Sequence, residues 1–578
     1  MAHRAGPASR RLGRGPLAVL VVAGLAAALP VSGLFGVGPF TGLRGSAAGS
    51  PNPSPVGLAA SSPAVVEPTA SPEPTPVFAD IPIVPVTQFR APWDGVDSAE
   101  VAAVLAGTSD HYAALELVAS DSDAAIAALA VARPADPARL VLAPDAATLR
   151  SDLAANRDRL AFLRLADVDP SVRALRWDGA AAFGVGHVAT IDAWPLSIRV
   201  LLPDEGSPGA SAPRASPGGT GGSPQASGAT TAPLPDSPPY DPATAWVLVA
   251  AGDVMLDRGV ADEVKNVRKD VDFPFDGGTA EITGRHCCSS LGNRVPDAER
   301  TGNEGAVRAL FEGADLAITN FENPAPDAFR YHSEGTVFSA DPALLATIAN
   351  AGIDWVSLAN NHIRDFGAQG VLDTITNLNR WGIAHGGAGA DLATARAPTI
   401  LAVGSTRVGI LGYDTIAPSY AATADRAGSA QMTAETVKED VARARELGAD
   451  VVIVFPHWGV EYSTGPTEQQ LRLGHAAIDA GADLVIGNHP HWAGAVEIYQ
   501  GKPIFYALGN LIFDQTWSEP TLEGISVEMT FAGARLVQVR IRPHLILDRS
   551  QPNFMLPSGS GEIVMDQVFE ASEGYLPW

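Results

Sequence analysis

Cysteine is almost missing from this chain of 578 residues: there are two, Cys287 and Cys288, and they are adjacent. A pair so placed cannot staple a fold together or furnish a thiolate-rich zinc site. It is either a vicinal disulfide formed outside the cell or two loop thiols in an insertion. Lysine is nearly absent as well, so almost every cation is an arginine. Basic charge as a whole is short: 39 Lys and Arg stand against 64 Asp and Glu, for a formal net charge of -25. That excludes a non-specific nucleic-acid binder, which needs a basic face for the phosphate backbone. Beyond the first 40 residues no apolar run approaches the ~20 residues that span a bilayer. What the chain does have is core material: with 46% hydrophobic and 18% charged residues, wholesale disorder is excluded. At ~100–200 residues per domain, the length predicts three or four units.

The first unit concerns address. Arg4, Arg10, Arg11 and Arg14 precede an unbroken apolar run over 17–29, and no acidic residue occurs before Glu67. A positive stretch followed by an apolar one predicts an exported chain, with residues 1–49 acting as a signal peptide or as a signal anchor in the membrane. Residues 50–76 are rich in Pro, Ser and Ala, and residues 205–242 in Gly, Ser, Pro and Thr. Such compositions bury too little apolar surface to order themselves and read as linkers. Between them, 77–204 reads as a small α/β domain: strands over 81–86 and 198–202, helices over 98–107 and 124–132. From 243 to 550, short apolar strands alternate with amphipathic helices, which predicts layered α/β structure. Asp341 with Pro342, and Thr467 with Gln470, carry helix-start chemistry. A terminal hairpin is expected over 525–547, and 551–578 reads as a loosely packed C-terminal extension.

Chemistry-bearing residues fall where strands end. The strand candidate at 246–251 runs into Gly252-Asp253-Val254-Met255, and that at 316–319 into Asn320-Phe321-Glu322-Asn323-Pro324. The candidates at 355–358, 451–455 and 484–486 run into Ala359-Asn360-Asn361-His362, Pro456-His457-Trp458-Gly459 and Gly487-Asn488-His489-Pro490-His491. In open α/β sheets, ligands bind beyond the carboxyl ends of the strands. These residues, distant in sequence, are therefore expected in one crevice. Carboxylate, amide and imidazole donors suit one or two divalent ions of Mn, Zn or Fe and not a soft thiolate site. His489 and His491, two apart around Pro490, are expected to point to the same side of an extended segment and serve two ions. Each residue has an ordinary reading too: a lone His after a strand is more often a hydrogen-bonded core or surface residue, and Asp253 or Asn360 can cap a helix. The coincidence of five strand ends favours a shared site.

These strand-end motifs, in order, together with Leu256, Asp272-Phe273-Pro274-Phe275, Ile363-Arg364-Asp365-Phe366-Gly367, Gly386-Gly387-Ala388-Gly389, Val460-Glu461-Tyr462 and Leu508-Gly509-Asn510-Leu511-Ile512-Phe513-Asp514, resemble the CapA family of poly-γ-glutamate capsule biosynthesis proteins. The likeness covers about 244–520. CapA proteins are similar to calcineurin-like metallophosphoesterases, which implies a β-sandwich flanked by helices (αββα). Carried over position by position, the resemblance implies that Asp253 and His491 bind one ion and that Asn361, His457 and His489 bind another. Glu322 bridges the two. His362 is implied as the catalytic imidazole, with Asp365 beside it, and Arg258, Glu461 and Asn510 as substrate contacts. One departure stands out. The superfamily's Asp-x-His is here Asp253-Val254-Met255, and a thioether is a poor ligand for a hard site, so Met255 reads as a packing residue. The phrase Ile81-Pro82-Ile83-Val84-Pro85-Val86, followed by the helix candidate at 98–107, resembles one lobe of phosphate-type periplasmic substrate-binding proteins.

Two functions from different classes follow. One is an exported, metal-dependent hydrolase of phosphoesterase type acting on an anionic envelope polymer or a phosphoester. The other is a membrane-tethered scaffold or binding component that works with capsule-synthesis membrane proteins, its metallophosphatase-like site not catalytic. Either implies an extracytoplasmic chain, anchored or secreted.

Overall fold

A computed structural model describes residues 78–201 and 240–578. The export segment read at 1–49, the linker at 50–76 and nearly all of the linker at 205–242 lie outside them. Among the described residues, no helix is long and apolar enough to cross a membrane.

The larger part is a four-layer sandwich, and its layers follow from alternation along single strands. In the strand Ala245–Val254, Trp246, Leu248 and Ala250 point to one face and Val247, Val249 and Ala251 to the other. In Val451–His457, Val451, Ile453 and Phe455 share the first of those clusters, while Val452 and Val454 enter a third. A strand whose two faces are both apolar must be covered on both sides. The two sheets therefore meet face to face over a shared core that includes Trp355 and Phe455. The helices Ala306–Glu312, Leu345–Asn350 and Gly367–Trp381 cover the outer face of one sheet. Ala434–Glu446 and Glu468–Asp479 cover the other. The expected capping box at Thr467 and Gln470 is present. Asp341 caps as expected, although the turn it starts is 3-10 before becoming α.

Topology brings the expected strand ends to one edge. Ala245–Val254, Leu316–Phe321, Trp355–Ser357 and Ala384–Gly386 are parallel neighbours. So are Thr406–Asp414, Val451–His457, Leu484–Ile486 and Lys502–Phe505 in the second sheet. Register does the rest: Asn320 lies opposite Asp253, Asn510 opposite Asp253 on the other side, and His457 bridges to Asn488. Gly252 is required there, because a Cβ would collide with the Gly509 carbonyl.

The C-terminal residues are not a loose extension. Gln551–Phe554 pairs with Arg535–Leu547 inside the first sheet. The helix Glu562–Ala571 then packs Val564, Met565, Val568 and Phe569 into the inter-sheet core. Burying each such side chain contributes about 1.5–3 kcal/mol, which offsets the cost of ordering the segment. The helix repeats its apolar positions at helical spacing, a signal outweighed in the sequence by the flanking Pro and Gly residues.

Residues 78–201 form an α/β unit with a mixed sheet. Its order is Leu140–Ala143, Ala114–Val118, Arg159–Arg164, Phe78–Gln88, Val172–Ala174, and Ser197–Leu201 pairs along Phe78–Gln88 as well. It docks on the hairpin of the large sheet. Gln538 donates to the Val172 carbonyl (2.7 Å) and accepts from the Ala174 N–H (2.5 Å), and Thr530 Oγ1 accepts from Gly184 N (2.8 Å). Glu528, buried below, accepts from Val185 N and pairs with Arg542. Cys287 and Cys288 are joined as a vicinal disulfide at the tip of the hairpin Thr279–His286 and Val295–Gly302.

Candidate metal centre

The six side chains expected as ligands meet at the shared strand edge in two subsets. Glu322, His457 and His489 form a buried cluster whose donor atoms all lie within 4.8 Å of one another. His457 Nε2 is 3.1 Å from His489 Nδ1, 3.3 Å from Glu322 Oε1 and 2.7 Å from Asn361 Oδ1. Donors bonded at about 2.0–2.2 Å to one ion lie about 2.8–3.6 Å from each other, from octahedral to tetrahedral geometry, so the first two separations fit a common cation. Glu322 Oε1 is buried and accepts no hydrogen bond. A buried carboxylate oxygen without a donor is costly, and a cation at that point would satisfy it. The donor set of imidazole, carboxylate and amide oxygen agrees with Mn, Zn or Fe.

Asp253 and His491 form the second subset, with His491 Nδ1 3.2 Å from Asp253 Oδ2 and 2.9 Å from Asn510 Oδ1. The loop carrying both histidines is not extended. His489 has φ 98 and His491 φ 59, both in the left-handed region. The expectation of a shared side on an extended strand is thus replaced by a tight bend that turns His489 to His457 and His491 to Asp253. The two rings are 6.0 Å apart.

Burial sets the protonation of these groups. It pushes His457 down to about 4 and, with the nearby His457 and His491 charges, pushes His489 well below the usual range. Burial and the Asp253 charge raise Glu322 well above the carboxylate range. For Asp253, burial acts upward, but the hydrogen bond and charge of His491 outweigh it and the net direction is down. His491 is correspondingly raised, the Asp253 bond and charge overcoming its burial. Without a cation the cluster thus favours neutral imidazoles and a neutral Glu322 beside one ion pair. These are lone-pair donors that a divalent ion can use, provided Glu322 gives up its proton.

His362 lies at the mouth of the cluster. Its Nδ1 is 2.9 Å from Asp365 Oδ2, and Asn361 Nδ2 is 3.1 Å from its Nε2. Asn361 therefore turns its oxygen to the cluster and its N–H to His362. Asp365 is held by the Phe338 N–H (2.8 Å) and the Tyr420 hydroxyl (3.0 Å). The His362 ring rests on Phe338, 4.2 Å between centroids. A carboxylate on Nδ1 fixes the tautomer and leaves Nε2 to act.

The three expected substrate contacts separate. Asn510 is fully buried: Oδ1 faces His491, and Nδ2 donates to Thr521 O (2.9 Å) and Gln515 Oε1 (3.1 Å), so its side chain holds His491 in place. Arg258 is committed to Asp514 and to the Gly335 carbonyl (2.7 Å), and lies over Phe338. Glu461 is exposed at the rim next to Tyr462. Met255 is buried, its Sδ accepting from Asp257 N at 3.0 Å, as a packing residue.

Sequence reasoning passed over Asn320, whose amide sits between Asp253 and Glu322, and Asn488, both of whose side-chain polar atoms are buried without partners. Both stand within the strand-end motifs, which was signal enough to include them. It also passed over the aromatic rim. Tyr462, 6.2 Å from the His491 ring, shares with Trp492 and Trp517 a cavity of about 420 Å³.

Residues 247–515 match the family described as bacterial capsule synthesis protein PGA_cap. The chain is 33% identical over 220 residues to the capsule biosynthesis protein CapA of Bacillus anthracis, covering 37% of this chain and 54% of that protein. It is 36% identical over 301 residues to a probable polyglutamine synthesis accessory protein of Mycobacterium tuberculosis, covering 46% of this chain and 74% of that one. The chain thus spans little more than half the length of its Bacillus relatives. Among solved structures it overlaps the calcineurin-like phosphoesterase YfkN of Bacillus subtilis at 13% identity and TM-score 0.29, covering 58% of this chain and 98% of that chain.

Proposed function

Since the chain belongs to the bacterial capsule synthesis family, we propose that it acts in the biosynthesis of an anionic envelope polymer of the poly-γ-glutamate type, through a divalent-metal hydrolase centre at the strand edge. The observation that carries this reading is the buried cluster of Glu322, His457 and His489, with an unpartnered carboxylate oxygen inside and the His362–Asp365 pair at its mouth. Glu322, His457, His489 and Asn361 would hold the ion. Once bound, it supplies positive charge to an anionic substrate and lowers the pKa of water. Positive charge is needed, because the chain carries net charge -25 and Arg258 is already paired. Protonated on Nε2 as well as Nδ1, His362 would deliver its Nε2 proton to the leaving oxygen and be left neutral, with Asp365 holding the imidazolium before the transfer. Tyr462 and Trp492 line the approach. The arginine-led apolar run in residues 1–49 supports export and membrane attachment, which would put the reaction outside the cytoplasm.

The test is metal analysis coupled to turnover of a chromogenic phosphodiester. His362→Ala is expected to lower turnover by ~10²–10⁴-fold, the usual scale of general acid–base catalysis, with ion content unchanged. His489→Ala is expected to lose the ion. If His362→Ala strips the metal, its assigned role is wrong. If wild-type protein with ion bound hydrolyses no phosphoester, the tethered scaffold or a different bond takes precedence.

A further inference from the structure

Building on the metal-centre reading, we propose that this chain holds one divalent ion and not two, because the side-chain amide of Asn320 closes the second cation position between Asp253 and Glu322. The orientation of that amide is fixed from behind. Asn360 Nδ2 donates to the Phe321 carbonyl (2.7 Å) and its Oδ1 accepts from His362 N (3.1 Å), so Asn360 cannot be flipped without losing two backbone bonds. Asn360 Nδ2 is also 3.2 Å from Asn320 Oδ1. Asn320 must therefore present its oxygen to Asn360 and its NH2 to the crevice. That NH2 has two N–H bonds and two carboxylates to meet: Asp253 Oδ1 at 2.7 Å and Glu322 Oε2. A cation bridging those oxygens would have to displace the amide N–H groups that already hold them.

The remaining oxygen of Asp253 also has partners. Its Oδ2 faces His491 Nδ1 (3.2 Å) and the His489 N–H (3.4 Å). Asn510, whose own Nδ2 is donating to Thr521 O and Gln515 Oε1, offers His491 Nδ1 an acceptor oxygen at 2.9 Å. His491 Nδ1 is thus held between the Asn510 and Asp253 oxygens. Met255, at the position where the superfamily pattern has a histidine, has its sulfur occupied by Asp257 N. On the other side of Glu322 nothing is committed: Oε1 has no donor, and among the described residues the one group of three donors within ligand reach is Glu322, His457 and His489, without Asp253 or His491.

The experiment is a Mn²⁺ titration of the chelator-stripped full chain, read by calorimetry and elemental analysis, with low-temperature EPR of the loaded protein. One equivalent and the spectrum of an isolated ion are expected. Two ions ~3.5–4 Å apart would instead give a spin-coupled spectrum. Asn320→Asp, which replaces the donor by an acceptor, is expected to raise the stoichiometry to two equivalents and introduce the coupled signal. His491→Ala is expected to keep its one equivalent, and it serves should the buried Asn320→Asp substitution not fold. Two equivalents or a coupled spectrum in the wild type overturns the single-ion inference while leaving the metal centre standing. Loss of the ion from His491→Ala overturns it as well, and so does an unchanged single equivalent in folded Asn320→Asp. No bound Mn²⁺ in the wild type sinks the metal-centre reading itself.

Discussion

Glu528 and Glu322 are both buried glutamates, at 2% and 0% exposure, and the chain treats them in opposite ways. Glu528 lies under the docked small unit. Arg542 Nε donates to it at 2.8 Å, Arg540 is close enough to add its charge, and Val185 N donates as well. Burial pushes its carboxyl up, but the arginines and the N–H outweigh burial and hold it below the usual range. Glu322 lies in the crevice, where its hydrogen-bond donor is the Asn320 amide and one oxygen has none. No described arginine or lysine pairs with it, and its carboxyl is driven up. In a protein with few cations to distribute, arginine compensates the structural acid and leaves the other acid unpaired. Charging a buried carboxyl without a partner costs several kcal/mol, so Glu322 holds its proton more tightly than an ordinary glutamate.

The largest effect that tests this contrast is on ion affinity. Glu322→Gln is expected to weaken divalent-ion binding by at least about 100-fold, beyond the 10–100-fold typical of supporting residues, measured by calorimetry. Unchanged affinity would erase the distinction between the two acids. Next comes stability. Glu528→Ala strands Arg542 and Arg540 and should lower unfolding free energy by about 3–5 kcal/mol in urea, whereas Glu322→Gln in metal-free protein should be neutral or stabilising.

The pH dependence is expected to follow the same division. For Glu528 the folded pKa lies below the unfolded one, so its contribution is present above about 4.5 and is lost as pH falls through the folded value. For Glu322 the folded pKa lies above, so its contribution is present below about 4.5 and is lost as pH rises. The melting-temperature gain on adding Mn²⁺ should therefore grow as pH rises above the ordinary carboxylate range, with about 2.7 kcal/mol of stabilisation at an ion concentration 100 times Kd. A gain independent of pH would contradict the protonation assigned to Glu322. The smallest effect concerns the interface alone: Gln538→Ala leaves Val172 O and Ala174 N unpaired and should cost about 1–2 kcal/mol without altering ion affinity.

Short-range signals carried most of what the sequence revealed. The unbroken apolar runs at 246–251 and 451–455, the Thr467–Gln470 capping box and the donors following each strand are local patterns, and the structure keeps them. What was illegible depends on partners far along the chain. The orientation of the Asn320 amide is set by Asn360, and the role of Asn510 by His491 and Thr521. The bend at His489 and His491 is a backbone state that side-chain spacing does not encode. The C-terminal helix is masked in the sequence by its flanking Pro and Gly residues, and only the gap between the two sheets gives its apolar stripe something to cover. The pairing of Glu528 with Arg542 joins neighbouring strands whose register was unknown from sequence.

The left-handed backbone at His489 and His491 has a last consequence. These imidazoles are aimed by torsion angles, by Asn510 and by the strand bridge at Asn488, so their arrangement is set by the chain itself, and an ion binding there would meet donors already in place. Loading then needs no rearrangement of the chain, and swapping one cation for another is limited by shedding of hydration water and by relative supply. Which metal the protein carries would be decided by its surroundings more than by its fold, and preparations from differently supplied cultures should differ in content while sharing one structure.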